Sequence, residues 1–370
     1  MLGLPTSSFA PSKLDFESRQ FVREMGAKGI TFQGQFVNDW SKGIGDSSDS
    51  GLGFGRYSFD FTASIDNSKL LGWNGSSAAV RLKNHLGEFG YGYEQSFQVP
   101  SNIDASSRTT LYEMWIQQKL YGDRLRLKFG KVDANTEFSV LQNAGDFLNS
   151  SMGYSPTIME FPSYPEPKLG FNAFLTARKN YSVGAGVFQT AGGGTFLVAE
   201  PGRKWSIGSK ELDGHVSVGY WKLNETMTGF DGSQVSSAQG FYSVVEQSVW
   251  RKAVNENGGE RKLSTFAQIA TGNGRVNPLS SHLGAGAVLQ APSERRPGDA
   301  VGLAVTRVGF SSAPQAQFEH HSELVMETYY RASVSRHVAL VPDIQFLHHP
   351  GGMTAHHDCA LITPRLVISF

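Results

Sequence analysis

The feature that most constrains this chain is a two-residue alternation of apolar and polar side chains, which recurs from about residue 28 to the C-terminus. Such alternation is typical of β-strands, whereas an amphipathic helix needs apolar residues three and four positions apart. In the segment 110–120, one face carries Tyr112, Met114, Ile116 and Leu120, and the other carries Glu113, Trp115, Gln117 and Lys119. In the next segment, one face carries Leu125, Leu127 and Phe129, and the other carries Arg124, Arg126 and Lys128. The short link 121–123 predicts a hairpin in which the two charged faces coincide.

The same pattern marks sixteen candidate strands along the chain. They cover residues 28–40, 55–66, 77–85, 109–120, 123–133, 168–178, 181–190, 203–210, 213–223, 239–252, 261–272, 280–291, 299–310, 322–335, 337–348 and 358–370. Their lengths centre on roughly ten residues, which suits a tilted strand that crosses a hydrocarbon layer. We therefore predict an all-β chain of about sixteen antiparallel strands that closes into a transmembrane barrel.

The connections between these strands alternate in length. The short ones are 121–123, 179–180, 211–212, 253–260 and 335–336, and the long ones are 41–54, 86–108, 134–167, 191–202, 224–238 and 349–357. One rim would then carry turns and the other rim long loops, as in outer-membrane barrels. The segment 1–27 is expected to hold a short helix on the periplasmic side, where the turns lie, so that the barrel itself occupies 28–370.

The last strand separates a membrane barrel from a soluble β-sandwich, whose strands also alternate. The residues Ile362, Leu366, Ile368 and Phe370 share one face, and the chain ends on the aromatic ring. This ending resembles the signal that bacterial outer-membrane barrels present to the barrel assembly machinery. We therefore expect outer-membrane lipid and that machinery as partners.

Composition excludes several other classes of protein. The chain has 33 basic and 33 acidic side chains, so it lacks the cationic surplus that nucleic-acid binding requires. A single cysteine, Cys359, excludes internal disulfides and Cys-rich metal sites. No apolar run is long enough for a membrane-spanning helix, and no cleavable leader is recognised, which suggests a mature or engineered start. The mean hydropathy of −0.27 fits strands of which only one face meets lipid.

Several short motifs occur in order along the chain. They are Arg-Glu-Met-Gly-Ala-Lys-Gly-Ile at 23–30, Gly-Lys-Val-Asp at 130–133 followed by Phe138, Phe-Leu-Asn-Ser-Ser at 147–151 followed by Tyr164-Pro165, Glu-Thr-Tyr-Tyr at 327–330, Pro-Asp-Ile-Gln at 342–345, His-Pro-Gly-Gly at 349–352, and the closing Arg365 and Phe370. Their order and spacing resemble the carbohydrate-selective porins of the OprB family, with a weaker match at 190–320.

This resemblance implies a sixteen-stranded, monomeric barrel through which sugars, for example glucose, diffuse passively across the outer membrane, with no catalysis and no cofactor. The chain is short for that family, which suggests trimmed loops, and its closing loop carries extra histidines.

The lumen of so wide a barrel must be narrowed if it is to select a solute. The loop 134–167 is the best candidate for a constriction, since long connections without secondary structure are uncommon unless they have a function. Folded into the lumen, it would bring acids and aromatics to the wall, namely Glu137, Asp146, Glu160, Glu166, Phe138, Phe147, Tyr154, Phe161 and Tyr164. The wall itself would present the basic residues of the third, fourth and fifth strands, with Arg81, Lys83 and His85 on the third strand.

We therefore predict a solute-binding constriction formed by Arg124, Arg126, Lys128, Arg81, Lys83, Glu113, Trp115, Gln117, Asp146 and Phe147. Guanidinium groups can bind pairs of hydroxyl or carboxylate oxygens, and an indole ring can stack on the apolar face of a pyranose. Simpler interpretations stay open. The basic residues could be ordinary polar lining, Trp115 could pack beneath the inward loop, and Glu113 could simply neutralise its basic neighbours.

Three histidine pairs fall at the rim that carries the long loops. They are His320-His321, His348-His349 and His356-His357, and Asp358 follows the last pair. Imidazole and carboxylate are good metal ligands. Adjacent residues of a strand point to opposite faces, however, so each pair should offer one ligand, and we interpret these histidines as solvated loop residues without a metal site.

Two other functions are compatible with a barrel. A channel for sugar acids, polyols or other small acidic solutes is favoured by the basic wall. An outer-membrane lipase would need a serine and a histidine near the rim on the lipid face. The chain contains no Gly-x-Ser-x-Gly nucleophile motif and no ordered Ser and His on one strand face, so we expect no enzyme.

Overall fold

Sixteen antiparallel strands close into one barrel in the computed structural model, which describes residues 13–45, 54–87, 96–253 and 260–370. The barrel strands are β1 (Ile30–Gly45), β2 (Phe54–Asp66), β3 (Ser76–Leu86), β4 (Arg108–Leu120), β5 (Leu125–Val132), β6 (Lys168–Arg178), β7 (Tyr181–Gln189), β8 (Thr195–Ile207), β9 (Leu212–Asn224), β12 (Ala238–Ala253), β13 (Glu260–Thr271), β14 (Leu279–Gln290), β15 (Ala300–Phe310), β16 (Ser322–Ser333), β17 (Val338–His348) and β18 (Cys359–Ser369). Each strand pairs with its neighbour in this order, and β1 pairs with β18 to close the barrel. The predicted fold class and strand number are confirmed.

The remaining elements are short. A two-stranded hairpin of β10 (Met227–Thr228) and β11 (Gln234–Val235) lies in the connection between β9 and β12. The helices are α1 (Lys13–Ala27), α2 (Asn67–Leu71) and α3 (Ser150–Gly153), with 3-10 turns at Ala134–Thr136, Gln142–Ala144, Pro314–Ala316 and Pro350–Gly352. None of the described helices combines the length and the apolar character that crossing a membrane requires.

Two strand boundaries differ from the prediction by five or more residues. The first strand continues to Gly45 instead of ending at 40, and the eighth begins at Thr195 instead of 203. The predicted connection 191–202 thus belongs largely to β8, whose pairing with β9 passes from Ala199 to Gly202 without a change of register. The predicted connections 41–54, 86–108 and 253–260, and the beginning of the N-terminal segment, lie partly outside the described residues.

The two faces of the barrel have the composition that the alternation predicts. Large apolar side chains such as Leu82, Met114 and Phe129 are exposed on the outer face. The inner face of the same barrel carries buried charged groups, including Glu327 and Arg365. The outer surface is therefore apolar, and the polar residues line the lumen.

Tyr112 is an exception, because the prediction placed it on the apolar outer face with Met114. A register shift interrupts the pairing of β3 with β4, so that Arg81 pairs with Glu113 and Leu82 with Leu111. Such a β-bulge adds one residue to a strand and re-aims its side chain. Tyr112 is consequently buried inside the barrel.

The barrel closes where the C-terminal residue meets a glycine of the first strand. Gly34 and Phe370 exchange two main-chain hydrogen bonds of 2.8 and 2.9 Å. The Phe370 ring covers Gly34 on the outer face and stacks on Phe59, with the ring centroids 6.1 Å apart. A Cβ atom at Gly34 would overlap this ring, so only glycine allows the terminal aromatic residue to seat here.

We expect Gly34→Leu to destabilise the closed barrel by about 1–3 kcal/mol, the usual cost of overpacking a well-filled site. The fraction of folded, SDS-resistant barrel should fall at lower urea concentration than in the parent protein. Gly26→Leu is the matched control, because a Cβ atom at this position in α1 meets nothing within 4 Å. Equal urea midpoints for the two variants would contradict this account of the seam.

Candidate pore constriction

The long connection between β5 and β6 crosses the inside of the barrel. It is held there by carboxylates of the far wall, each of which accepts hydrogen bonds from main-chain N–H groups of the loop. Ser139 donates to Glu200 on β8 at 2.8 Å, and Asn143 donates to Glu246 on β12 at 2.6 Å. Leu148 and Asn149 donate to Glu327 on β16 at 2.5 and 3.1 Å. The predicted inward fold of the loop 134–167 is therefore confirmed.

A second segment, the described part of the β3–β4 connection at 96–107, also lies inside the barrel. The N–H group of Gln98 donates to Glu323 at 2.9 Å, and Ser101 Oγ donates to Asp39 at 2.7 Å. Asp104 forms an ion pair with Arg56 at 3.0 Å. The sequence pattern indicated only a long connection for this stretch, so its place in the lumen was not predicted.

Burial has the largest effect on the pKa of Asp104 in this second segment. It raises the pKa of the Asp104 carboxyl to about 6, although the adjacent Arg56 guanidinium acts in the opposite direction. The carboxyl is therefore fully ionised, and its ion pair complete, only above that pH.

The two inward segments bind each other and form one body, which we call the plug (residues 96–107 and 134–167). The N–H group of Asn102 donates to the carbonyl of Leu148 at 2.7 Å, and that of Ser150 donates to the carbonyl of Val99 at 2.9 Å. The Tyr164 hydroxyl donates to the carbonyl of Ile103 at 2.7 Å. The lumen is thus narrowed by a joint structure rather than by one loop.

A cavity of about 500 Å³ remains between the plug and the wall formed by β1–β4 and β16–β18. Its charged lining residues are Asp60, Arg81, Lys83, Asp133, Asp146, Arg331 and Arg365, and its other polar lining residues are Gln35, Ser58, Asn102, Tyr112, Asn135, Thr136, Ser163 and Tyr164. The lining therefore combines several cations and carboxylates with hydroxyl and amide groups.

The cations of this cavity are paired with carboxylates. Arg81 and Lys83 both contact Asp60, at 2.8 and 3.2 Å. At the other side of the cavity, Arg331 of β16 contacts Asp146 of the plug at 3.1 Å. Arg365 forms two hydrogen bonds, of 2.7 and 2.8 Å, with the buried carboxylate of Asp39. The cavity thus presents many charged donors and acceptors with little net charge.

Two tyrosine rings pack against the ammonium group of Lys83. Its Nζ atom lies 4.4 Å from the ring centroid of Tyr112 and 4.7 Å from that of Tyr164, which is cation–π geometry. The Tyr112 hydroxyl donates to Asp133 at 2.5 Å. The bulge in β4 creates this arrangement, because without it Tyr112 would face outward.

The predicted basic wall divides into two groups. Arg81 and Lys83 face the open cavity with Asp146, whereas Arg126 and Lys128 form ion pairs with Glu137 of the plug. Gln117 accepts a hydrogen bond of 3.2 Å from Arg126, and Lys128 lies 4.1 Å from the Trp115 ring centroid. Arg126 and Lys128, with Gln117 and Trp115 beside them, therefore support the plug instead of facing the open cavity. For Trp115 this agrees with the simpler interpretation, namely packing beneath the inward loop.

Three other predicted residues lie outside the cavity lining. Arg124 is exposed in the turn before β5 and is not brought into either group. Glu113 contacts Arg81 at 3.3 Å and accepts from the N–H group of Asp133 at 3.0 Å. Phe147 is buried against Phe266 and Tyr329 of the wall.

The residues that the sequence analysis missed are mostly acids and arginines at lumen-facing positions of distant strands. They are Asp39, Asp60, Tyr112, Glu200, Glu246, Glu323, Glu327, Arg331 and Arg365. Parity alone would have found two groups of them. Asp60 lies between Phe59 and Phe61, and Glu327, Tyr329 and Arg331 share one face of β16.

Comparisons with known proteins agree with this architecture. A family model described as carbohydrate-selective porin, OprB family, matches residues 55–370. The chain is 22% identical to Porin B of Pseudomonas aeruginosa over 424 aligned positions, which cover 95% of this chain and 91% of that protein. It is similar to the high-pH structure of Pseudomonas putida OprB, with a TM-score of 0.85, 19% identity and coverage of 96% and 97% of the two chains. The low-pH structure of the same protein matches with a TM-score of 0.62, 20% identity and coverage of 98% and 100%.

Proposed function

This chain belongs to the carbohydrate-selective porin, OprB family, and is an outer-membrane channel for sugars, and we propose that its solutes bind in the cavity between the plug and the wall. The observation that carries this proposal is the set of paired charges around that cavity. Arg81 and Lys83 share Asp60 on one side, and Arg331 contacts Asp146 on the other. A sugar hydroxyl both donates and accepts, so adjacent cations and carboxylates can each bind it.

Neutral sugars fit this lining better than acidic solutes do. The basic wall first suggested sugar acids, but its cations already have carboxylate partners, including Glu137 for Arg126 and Lys128. An anion entering the cavity would have to displace such a partner, which leaves a carboxylate unpaired in a confined space. A neutral hydroxyl can join an existing pair without breaking it. Binding to such pairs can also stay weak enough for release into the periplasm.

Further parts of the proposal concern catalysis, assembly and oligomeric state. The family and the fold point to a channel rather than an enzyme, and we propose that the protein catalyses no reaction and requires no cofactor. We also propose that Phe370 is the residue presented to the barrel assembly machinery, since its ring lies exposed at the barrel seam. The barrel is proposed to act as a monomer, because it closes around a single lumen that one chain completes.

Planar-bilayer conductance tests the proposed solute class. With the purified protein in a bilayer, glucose should reduce the ionic current in a saturable way, because an occupied constriction obstructs ions. Gluconate, which has a similar carbon skeleton and a carboxylate, should need a higher concentration for the same reduction. If neutral sugars cause no saturable block while gluconate does, the channel selects acidic solutes instead.

A further inference from the structure

Three histidines and an aspartate gather at the rim that carries the long loops, away from the constriction. His348 ends β17, His349 follows it, Asp358 directly precedes β18, and His320 precedes β16. The Nδ1 atom of His348 lies 2.5 Å from Oδ2 of Asp358. The ring of His349 stacks between the other two imidazoles, with centroid distances of 3.7 Å to His348 and 3.6 Å to His320.

The main chain brings the adjacent histidines 348 and 349 to the same side, contrary to the expectation from the sequence. His349 has φ 53° and ψ 52°, in the left-handed region that side chains other than glycine rarely adopt. The strand therefore ends at His348, and the next side chain turns back beside it. The N–H group of His349 donates to Oδ1 of Asp358 at 2.9 Å, which holds this turn.

The same group has the chemistry of a metal site. One ligand atom from each of His348, His349 and Asp358 lies within 4.8 Å of the other two. In a tetrahedral site with bonds of about 2.0–2.1 Å, ligand atoms are about 3.3 Å apart, so closing on an ion needs side-chain movements of about 1–2 Å. These side chains are partly or fully exposed, so little resists such movements.

We propose that His348, His349 and Asp358 bind a divalent transition-metal ion such as Zn²⁺, with the fourth position left to water. Imidazole together with carboxylate suits Zn²⁺, Cu²⁺ and Ni²⁺ better than it suits Ca²⁺ or Mg²⁺. His348 shares the outward face of β17 with Ile344 and Phe346, both of which are exposed. The ion would therefore sit on the outside of the rim and leave the pore open.

Zinc binding to the untagged, detergent-solubilised protein tests the proposal, because a polyhistidine tag would itself bind the ion. Competition with a chromophoric zinc indicator should give one Zn²⁺ per chain. His348→Ala and Asp358→Asn should each weaken that affinity at least about 10–100-fold, the range already seen when outer-shell partners of metal ligands are lost. The asparagine variant can still accept the hydrogen bond from His349, so it tests the ligand without removing the turn.

His357→Ala is the matched control, since this exposed histidine lies in the same loop but outside the ligand set. It should leave the zinc affinity unchanged. Cu²⁺ provides a second measurement, because nitrogen hyperfine splitting in its electron paramagnetic resonance spectrum should disappear in a His348→Ala, His349→Ala double variant. Zinc affinity that is the same in the parent protein and in these ligand variants would overturn the proposal.

Discussion

Replacing Glu327 by alanine should release the plug from the wall of β16 and increase the single-channel conductance. The carboxylate is buried and accepts from two main-chain N–H groups of the plug, at Leu148 and Asn149. Without an acceptor, each buried N–H group costs about 1–3 kcal/mol, which favours a displaced loop whose N–H groups meet water. Conductance should then rise towards that of an unobstructed sixteen-stranded barrel, and block by glucose should weaken.

Two other variants separate this anchoring effect from the loss of a carboxylate as such. Glu327→Gln retains one carbonyl oxygen as an acceptor, so we expect an intermediate conductance. Glu225→Ala also removes a carboxylate, but that group bonds to the Thr190 hydroxyl at 2.5 Å, so conductance should stay at the parent value. If conductance is unchanged in a correctly folded Glu327→Ala barrel, the remaining wall contacts are sufficient to hold the plug.

The double substitution Arg81→Ala, Arg331→Ala should weaken the block by glucose about 10–100-fold in concentration. These arginines face the cavity from β3 and β16, so the change removes cationic donors from both of its sides. A hydrogen bond to a charged group contributes about 1.5–3 kcal/mol, and about 1.4 kcal/mol is a tenfold change in affinity, so the loss of one such bond already accounts for the expected change. The substitution also leaves Asp60 and Asp146 with fewer partners, so the ionic current should become more cation-selective.

Arg124→Ala is the control for this experiment. It removes an arginine that lies in an exposed turn outside the cavity, so glucose block should match the parent protein. Bilayer recordings at several glucose concentrations give the half-block concentration of the double variant and of the parent protein. The recordings use only barrels that show the folded mobility on gels. Equal half-block in the double variant and in the parent would place the sugar elsewhere in the lumen.

The barrel could be predicted from the sequence because its strands follow a local rule. Side-chain parity fixes which residues of a strand share a face, as for Arg81 and Lys83, and needs no knowledge of distant residues. The length of the loop 134–167 likewise indicated a functional segment without any contact information. The parts of the fold that depend only on neighbouring residues in the sequence could therefore be predicted.

The predictions that failed concern features that depend on contacts between distant residues or on a single irregularity of the backbone. Glu327 bonds to Leu148, which is 179 positions away, and no local pattern indicates that partner. The bulge that turns Tyr112 inward and the left-handed turn at His349 each alter one residue against an otherwise regular period. Arg124 fits the alternation but lies one residue before β5 begins, where the alternation no longer positions a side chain.

The anchoring of the plug through its peptide groups has a consequence for how this channel can change. Glu200, Glu246 and Glu327 accept from main-chain N–H groups, which every amino acid except proline supplies at those positions. The course of the loop is therefore partly insensitive to its own side chains, while those side chains form part of the pore surface. New solute preferences could thus be reached by substitutions within the loop, by mutation or by design, with the barrel wall serving as a constant frame.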